Sequence, residues 1–314
     1  MKTFIISFLL LFVFSGCDSD KSDLKSDLAK WKTYTLNNSA LINNYVLCVT
    51  VDSTDHVWAG NFNGDVTEFD GSHWTHHVTA NPAPFNRTVN AVAVDLYNTI
   101  WAATDSGLFH FNSGSSPSVY SGWDIRDIAV AADNSIWTCN PYVNKLDPEY
   151  NWTPFNLNGY HIAIARDANL WLCSNGQFVK FHGQNSVIYQ IVDFGVANQY
   201  LTDIATDINN IVWIGTEMSG LLRFNGAAWT IYDTANSGIP SNRVQTIAFD
   251  KQNHMWIGTD QGVVFYDYDQ WTVYNTDNSG LSSNNITGIV VDKKNHVWIA
   301  TYGGGLNVFN PNGL

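Results

Sequence analysis

The feature that most constrains the fold is a unit of about 40 residues that recurs along the chain. Each unit contains a tryptophan in a short apolar segment, and consecutive tryptophans are 43, 36, 34, 42, 43 and 42 residues apart. An alternating apolar strand precedes each segment, and two further β-rich runs follow it. Four short strands per unit predict the blade of a β-propeller. The seven tryptophans are Trp58, Trp101, Trp137, Trp171, Trp213, Trp256 and Trp298.

The two ends of the chain predict how the propeller closes. The last unit ends at Leu314 without its outer strand, while an isolated strand-like segment stands at Trp31–Tyr34, before the first unit. If this segment is the outer strand of the last blade, every blade has four strands and both terminal edges are paired. The sequence therefore predicts an all-β, seven-bladed propeller of four-stranded blades over residues 31–314, closed by its N-terminal strand.

The repeat resembles the two-component regulator propeller repeat. The resemblance rests on VWIGT at 212–216, MWIGT at 255–259 and VWIAT at 297–301, each with an aspartate six residues before its tryptophan and a glycine turn after it. It is close over residues 200–310. It is poor over about 123–190, where the aspartate stands four residues before the tryptophan and the turn is expected to have lost two residues.

What the resemblance implies is a propeller of the kind found in periplasmic sensor regions of hybrid histidine kinases and in some stand-alone envelope proteins. No kinase, receiver or DNA-binding segment is recognisable in the 314 residues. The resemblance therefore indicates the fold more strongly than it indicates signalling.

Residues 1–16 predict a lipoprotein signal peptide. One lysine precedes an apolar run that is too short to cross a bilayer as a helix, which needs about 20 residues. The run leads into FSGC, which resembles a bacterial lipobox with Phe14 at the usual leucine position. The resemblance implies lipidation of Cys17 and anchoring to a membrane of the bacterial cell envelope, with residues 17–30 as a flexible tether. The alternative is an ordinary secretory signal followed by an incidental cysteine.

Composition narrows the range of partners. The chain has 28 acidic and 15 basic residues and a formal net charge of −13, which disfavours binding to a nucleic-acid backbone. The expected partners are a membrane, through the lipid, and a small molecule, a glycan or a protein. Cys48, Cys139 and Cys173 match no zinc-site spacing and cannot all pair. We therefore expect no disulfide framework, no metal site and no cofactor.

Most of the repeated residues are expected to be structural. The tryptophans should pack between blades, and the repeated aspartates should start turns by accepting a hydrogen bond from the backbone two residues on. His56, His254 and His296 should be turn residues, and the cysteines should fill small-residue positions near the axis. A calcium-binding ring of the aspartates is the alternative. The aspartates are Asp52, Asp95, Asp133, Asp167, Asp207, Asp250 and Asp292.

Ligand-binding residues are expected where the repeat is irregular. In a propeller, the loops that enter the inner strands and those that follow the tryptophan strands share one face, around the mouth of the central channel. Aromatic rings mixed with carboxylates and arginines suit a sugar, although loop tips are polar in any propeller. The candidates are Phe62, Asp105, Tyr142, Glu217, Asp260, Tyr302, Arg87 and Arg243.

Three functions remain open at this point. The first is a lipid-anchored envelope module that binds a ligand or acts as a sensor, with a glycan among the candidate ligands and no catalytic residue. The second, by resemblance to the streptogramin lyases, is a metal-dependent lyase in which Glu217 and Asp260 hold the metal and His161 is the base. The third is a structural scaffold subunit of an envelope complex, which would use the same surface.

Overall fold

A computed structural model describes residues 29–78, 88–111, 118–119, 122–197 and 199–313, and in these ranges the chain forms a ring of seven four-stranded antiparallel sheets. Each sheet is one blade, and a 3-10 turn at Ile191–Phe194 leads towards blade 5. The strands are β1 (Trp31–Tyr34), β2 (Val46–Val51), β3 (Val57–Asn61), β4 (Asp65–Phe69), β5 (Trp74–Val78), β6 (Val89–Val94), β7 (Ile100–Thr104), β8 (Gly107–Phe111), β9 (Ser118–Val119), β10 (Asp127–Val130), β11 (Ile136–Cys139), β12 (Tyr142–Leu146), β13 (Trp152–Asn158), β14 (His161–Ile164), β15 (Leu170–Cys173), β16 (Gln177–His182), β17 (Asn185–Gln190), β18 (Leu201–Thr206), β19 (Val212–Thr216), β20 (Leu221–Phe224), β21 (Trp229–Tyr232), β22 (Val244–Phe249), β23 (Met255–Thr259), β24 (Gly262–Tyr266), β25 (Trp271–Tyr274), β26 (Ile286–Val291), β27 (Val297–Thr301) and β28 (Gly305–Phe309).

Blades 1 to 6 each consist of four consecutive strands, starting at β2, and blade 7 combines β26, β27 and β28 with β1. The first strand of the chain pairs antiparallel with the last one, so that Trp31 lies opposite Phe309 and Tyr34 opposite Leu306. Gly305 makes this pairing possible, because its φ is +84° and a Cβ there would lie 2.2 Å from the Tyr34 carbonyl oxygen. The predicted seven-bladed propeller, including its closure by the N-terminal strand, is confirmed.

The hydrophobic core lies between neighbouring blades. One cluster, for example, joins Trp58 and Val66 of blade 1 to Val89 and Phe109 of blade 2. Six of the seven repeat tryptophans are at most 6% exposed, which confirms the prediction that they pack between blades. Trp137 of blade 3 is the exception, because it is only partly buried.

Small residues are required where the second strand of a blade faces the next blade near the axis. A Cβ on Gly60 would lie 2.5 Å from Val89 Cγ1, and one on Gly258 would lie 2.6 Å from Ile286 Cγ2. Cys139 and Cys173 occupy the same position in blades 3 and 4, as predicted. Burial raises the pKa of both thiols well above the usual range, so they remain protonated packing groups.

A carboxylate organises the turn between the first and second strands in five blades. In blade 1, Asp52 Oδ1 accepts hydrogen bonds from the amides of Thr54 and His56, which is the predicted turn role. Its other oxygen, Oδ2, accepts the indole N–H of Trp58 at 3.1 Å, a bond that the sequence did not predict. The same indole bond joins Trp101 to Asp95, Trp213 to Asp207 and Trp298 to Asp292.

The repeated histidines are turn residues, as predicted. Nδ1 of His254 lies 3.0 Å from Asp250 Oδ2, and Nδ1 of His296 lies 2.8 Å from Asp292 Oδ2, each within its own turn. His56 instead contacts Glu68 of the same blade at 2.8 Å.

The expectation of a shortened turn in blades 3 and 4 is wrong. The amide of Ala131 bonds to the carbonyl of Ser135, as the amide of Asp52 bonds to the carbonyl of His56, so the turns have the same length. Ala131 and, in blade 4, Ala165 therefore occupy the aspartate position. Asp133 and Asp167 lie two residues further on, where each still accepts the amide two residues after it.

No helix within the described ranges is long and apolar enough to cross a membrane. The signal peptide at 1–16 and the lipidated Cys17 lie outside the described residues. They, and the tether boundary at residue 30, stay predictions.

Removing the closing tryptophan should destabilise the whole ring. Trp31 is 8% exposed and packs against Tyr274 and Phe309, with ring centroids 5.6 and 4.9 Å away. We expect Trp31→Ala to lower the free energy of unfolding by about 3 to 5 kcal/mol in urea denaturation. Trp123, which is 48% exposed, is the control, and its replacement by alanine should cost less than about 1 kcal/mol. Equal costs for the two variants would contradict a stabilising role for the closing strand.

Candidate functional site

The central channel is lined by the inner strands, which form two layers of side chains near its mouth. The deeper layer consists of the residues that pair with the small positions described above: Cys48, Ala91, Asp127, His161, Asp203, Thr246 and Gly288. Three successive blades, 3 to 5, therefore place ionisable side chains side by side in the channel.

The deeper layer is held in place by hydrogen bonds between blades. Asp127 Oδ2 accepts the amide of Ile162 at 3.0 Å and lies 3.6 Å from His161 Nδ1. Asp203 Oδ2 accepts the amide of Ile247 at 2.7 Å. Burial raises the pKa of the Asp203 carboxyl to about 6, with His161 opposing the shift and the charge of Asp127 adding to it. The layer thus contains an acid that titrates near neutral pH.

The upper layer is formed by residues that directly precede those of the deeper layer in the sequence. With the surrounding loops, it encloses a cavity of about 610 Å³, the channel-mouth cavity. Pockets of this size are typical of small-ligand sites. Its lining combines tyrosines, arginines, one glutamate and several neutral polar side chains. The lining residues are Leu47, Arg126, Tyr160, His161, Tyr200, Leu201, Thr202, Glu217, Arg243, Gln245 and Thr287.

Several polar groups of the channel-mouth cavity are available to a ligand. Within the described part of the chain, Arg126, Glu217 and Arg243 make no ion pair. The buried Oε1 of Gln245 has no hydrogen-bond donor among the described residues. Arg126 lies over the ring of Tyr160 at 5.9 Å, which leaves its remaining N–H groups free to donate. The cavity can therefore bind hydroxyl and carboxylate groups next to aromatic faces.

The structure brings some of the predicted site residues together and leaves others apart. Glu217 and Arg243 line the channel-mouth cavity. Tyr302 and Phe62 form an exposed aromatic cluster with Tyr45, whose ring centroid lies 4.7 Å from that of Tyr302 and 6.3 Å from that of Phe62.

The other candidates lie elsewhere or were not described. Asp105 lies in an exposed turn and Tyr142 is an exposed residue at the start of β12, and neither they nor Asp260 belong to the lining of the cavity. Arg87 lies outside the described residues. Ligand binding by any of these residues stays a prediction.

Sequence reasoning missed Arg126, Asp127, Asp203 and Gln245 as site residues. A usable signal existed, because Cys48, Ala91, Thr246 and Gly288 occupy the same position of the repeat and can be aligned from the sequence. Extending that alignment to blades 3 to 5 would have placed Asp127, His161 and Asp203 in the same layer.

The structure offers little support for a metal site formed by Glu217 and Asp260. Glu217 lines the channel-mouth cavity, whereas Asp260 does not. No three His, Cys, Asp or Glu side chains in the described ranges are grouped closely enough to hold a metal ion.

Comparison with known families supports the resemblance seen in the sequence. The two component regulator propeller model matches residues 238–261 and 280–303, which lie in blades 6 and 7 and the loops that lead into them. Two segments of the chain thus match the two component regulator propeller model. No curated protein matches the sequence significantly.

Solved structures with the same fold include the extracellular domain of a two component system, a lyase and a component of a secretion system. The extracellular domain of a protein described as a hybrid two component system from B. thetaiotaomicron has a TM-score of 0.74 and 23% identity, covering 89% of this chain and 41% of that one. Virginiamycin B lyase from Staphylococcus aureus has a TM-score of 0.74 and 12% identity, covering 90% and 99%. PorZ, a surface component of the type-IX secretion system of Porphyromonas gingivalis, has a TM-score of 0.68 and 18% identity, covering 85% and 46%. At these identities the likeness shows the fold.

Replacing Asp203 by asparagine should change how stability depends on pH. The folded chain holds the Asp203 proton more tightly than the unfolded chain, because the pKa is about 6 when folded and 3.8 ordinarily. This contribution is complete below about pH 4 and is lost as the pH rises through about 6. Relative to Asp203→Asn, the parent's free energy of unfolding should therefore fall by up to about 3 kcal/mol between about pH 4 and 7.

Urea denaturation at several pH values measures this difference. Asp124, an exposed aspartate, is the matched control, and Asp124→Asn should keep the pH dependence of the parent. A difference between the parent and Asp203→Asn that does not vary with pH would contradict the raised pKa.

Proposed function

We propose that the chain is a lipid-anchored module of a bacterial cell envelope that binds a ligand in the channel-mouth cavity and acts as a sensor or interaction domain. The observation that carries the proposal is the cavity itself, in which charged side chains and a buried amide oxygen that have no partner among the described residues lie beside tyrosine rings. The match to the two component regulator propeller model and the similarity in fold to the extracellular domain of a two component system support a sensor role.

A short oligosaccharide is the ligand class that fits this chemistry best. Tyr160 and Tyr200 offer flat apolar faces for sugar rings, while Gln245 and Glu217 offer acceptors for hydroxyl groups. Arg126 and Arg243 offer N–H donors, but Asp127 and Asp203 in the deeper layer offset their charge, so neutral oligosaccharides and those that carry a carboxylate are both candidates.

The lyase hypothesis has one supporting observation, the contact between His161 and Asp127 on the floor of the cavity. A histidine oriented by a carboxylate can act as a general base. However, Asp260 lies outside the cavity lining, and the lyases of the same fold are only 12 to 14% identical. Binding without turnover is therefore the favoured function.

Substitutions that replace a charged side chain of the cavity by a neutral one should weaken oligosaccharide binding. We expect calorimetric titration with a panel of neutral and acidic oligosaccharides to give saturable binding to the Cys17→Ser chain. Glu217→Gln or Arg243→Gln should each weaken that binding about ten-fold, since each removes a charge-assisted hydrogen bond. Asp105→Asn, on the same face but outside the cavity, should bind like the parent. Absence of binding across the panel, or equal binding by all variants, would reject the oligosaccharide and favour a scaffold role.

Lipid anchoring should depend on Cys17 alone. In detergent-phase partitioning we expect the parent chain in the detergent phase and Cys17→Ser in the aqueous phase, because the acyl chains supply the membrane affinity. Cys48→Ala is the matched control, since blade 2 has Ala91 at the same position, and it should stay in the detergent phase. Finding the parent chain in the aqueous phase would indicate an ordinary secretory signal.

A further inference from the structure

The junction between blades 3 and 4 lacks a contact that other junctions share. At five junctions, the side chain of an asparagine or aspartate in one turn accepts an amide of the preceding blade's turn, as Asn98 does from Ser53 at 2.7 Å. In blade 4 this position is Ala168, which has no acceptor. Its φ is +61°, a conformation that asparagine and glycine adopt more readily than alanine. At this junction the sequence therefore has alanine at a position where the backbone conformation favours asparagine.

Two further replacements occur at the same junction. Ala131 and Ala165 stand where five other blades have the turn aspartate, so Trp137 lacks the carboxylate that bonds the indole in blades 1, 2, 5 and 7. A cavity of about 630 Å³, the blade 3–4 cavity, lies at this junction and is lined by all three alanines and by Trp137. Trp137 is also the one repeat tryptophan that is only partly buried.

The wall of the blade 3–4 cavity is aromatic and apolar. The ring centroid of Trp137 lies 4.8 Å from that of Phe155 and 6.1 Å from that of Phe181, and the two phenylalanine rings meet edge to face at 5.4 Å. A neighbouring cavity of about 250 Å³ shares both phenylalanines and extends the apolar surface outwards. Three rings at right angles or tilted to one another can enclose a flat ring on several sides.

One positive charge at the blade 3–4 cavity is not balanced by a carboxylate of the cavity lining. Lys145 Nζ pairs with Asp133 Oδ2 at 3.0 Å and lies 5.6 Å from the centre of the Trp137 ring. Arg166 also lines the cavity, is exposed and has no ion-pair or hydrogen-bond partner among the described residues. The charged lining residues are thus two cations and one carboxylate, so the cavity has a net charge of +1. The chain as a whole has a net charge of −13.

We propose that the blade 3–4 cavity is a second binding site, for a small molecule that combines a flat apolar ring system with one negative charge. The rings of Trp137, Phe155 and Phe181 would contact the ring system, and Arg166 would bind the anionic group through its guanidinium. The site lies at the opposite end of the inner strands from the channel-mouth cavity, and it does not depend on the ligand proposed there.

A matched pair of fluorescent probes tests the proposal. Anilinonaphthalene sulfonate has a flat ring system and one negative charge, and N-phenylnaphthylamine is the same skeleton without the sulfonate. The Cys17→Ser chain is titrated free of detergent, because acyl chains and micelles bind both probes. We expect saturable binding of one sulfonate probe per chain, with the uncharged probe binding more weakly.

Two substitutions introduce at this junction the residue types that other blades have at the same positions. They should block the site without unfolding the chain. Ala131→Asp should weaken sulfonate binding at least about ten-fold, because it places a carboxylate beside Trp137 and repels the anion. Ala168→Asn should weaken binding of both probes and raise the melting temperature, because asparagine tolerates the positive φ and can accept an amide of blade 3.

Arg166→Gln tests the contribution of the positive charge to binding separately from that of the apolar wall. It should weaken the sulfonate probe about five-fold and leave the uncharged probe unchanged. Lys251→Gln is the matched control, because Lys251 has the same turn position in blade 6, beside an aspartate that is present. Sulfonate binding that is the same in the parent, Ala131→Asp and Arg166→Gln would overturn the proposal.

Discussion

The close approach of the seven inner strands at the axis is the constraint on which the rest of the structure depends. It excludes all but small residues from the second strand at the position of Gly60 and Gly258, where an added Cβ would lie about 2.5 Å from the next blade. The polar groups of the channel must therefore come from the inner strands themselves. This is why Asp127, His161 and Asp203 of three successive blades lie side by side in the channel, whereas Asp105, which follows the second strand of blade 2, lies outside the cavity lining.

The turn carboxylates show how one residue type can serve both the fold and, by its absence, a site. In blade 1 Asp52 bonds two turn amides and the indole of Trp58, which is 5% exposed. In blade 3 the corresponding residue is Ala131, and Trp137 is partly exposed. Removing the carboxylate leaves the backbone turn unchanged, because its amide-to-carbonyl bonds do not involve the side chain. The ring can therefore accommodate a cavity at one junction without losing its closure.

The fold was predictable from the sequence because its structural unit is repeated. The site was not predictable, because it lies where the repeat is irregular. Seven similar tryptophan segments and a spare strand at Trp31 indicate both the number of blades and their closure. The turns of blades 3 and 4 were misaligned because Asp133 and Asp167 are also turn aspartates, and residue identity alone does not distinguish two positions that both accept an amide two residues on. The hydrogen-bonding frame, which assigns the position to Ala131 and Ala165, is visible only in three dimensions.

Both cavities use the same pair of inner strands. β10 and β14 have four residues each, so about 10 Å separates the first residue of each strand from its last. Arg126 and His161, at or next to their starts, line the channel-mouth cavity, and Val130 and Ile164, at their ends, line the blade 3–4 cavity. Asp127 ties the two strands together through the amide of Ile162. The irregular residues of blades 3 and 4 are thus concentrated on one pair of adjacent strands, and this pair supports a polar site on one face of the ring and an apolar site on the other.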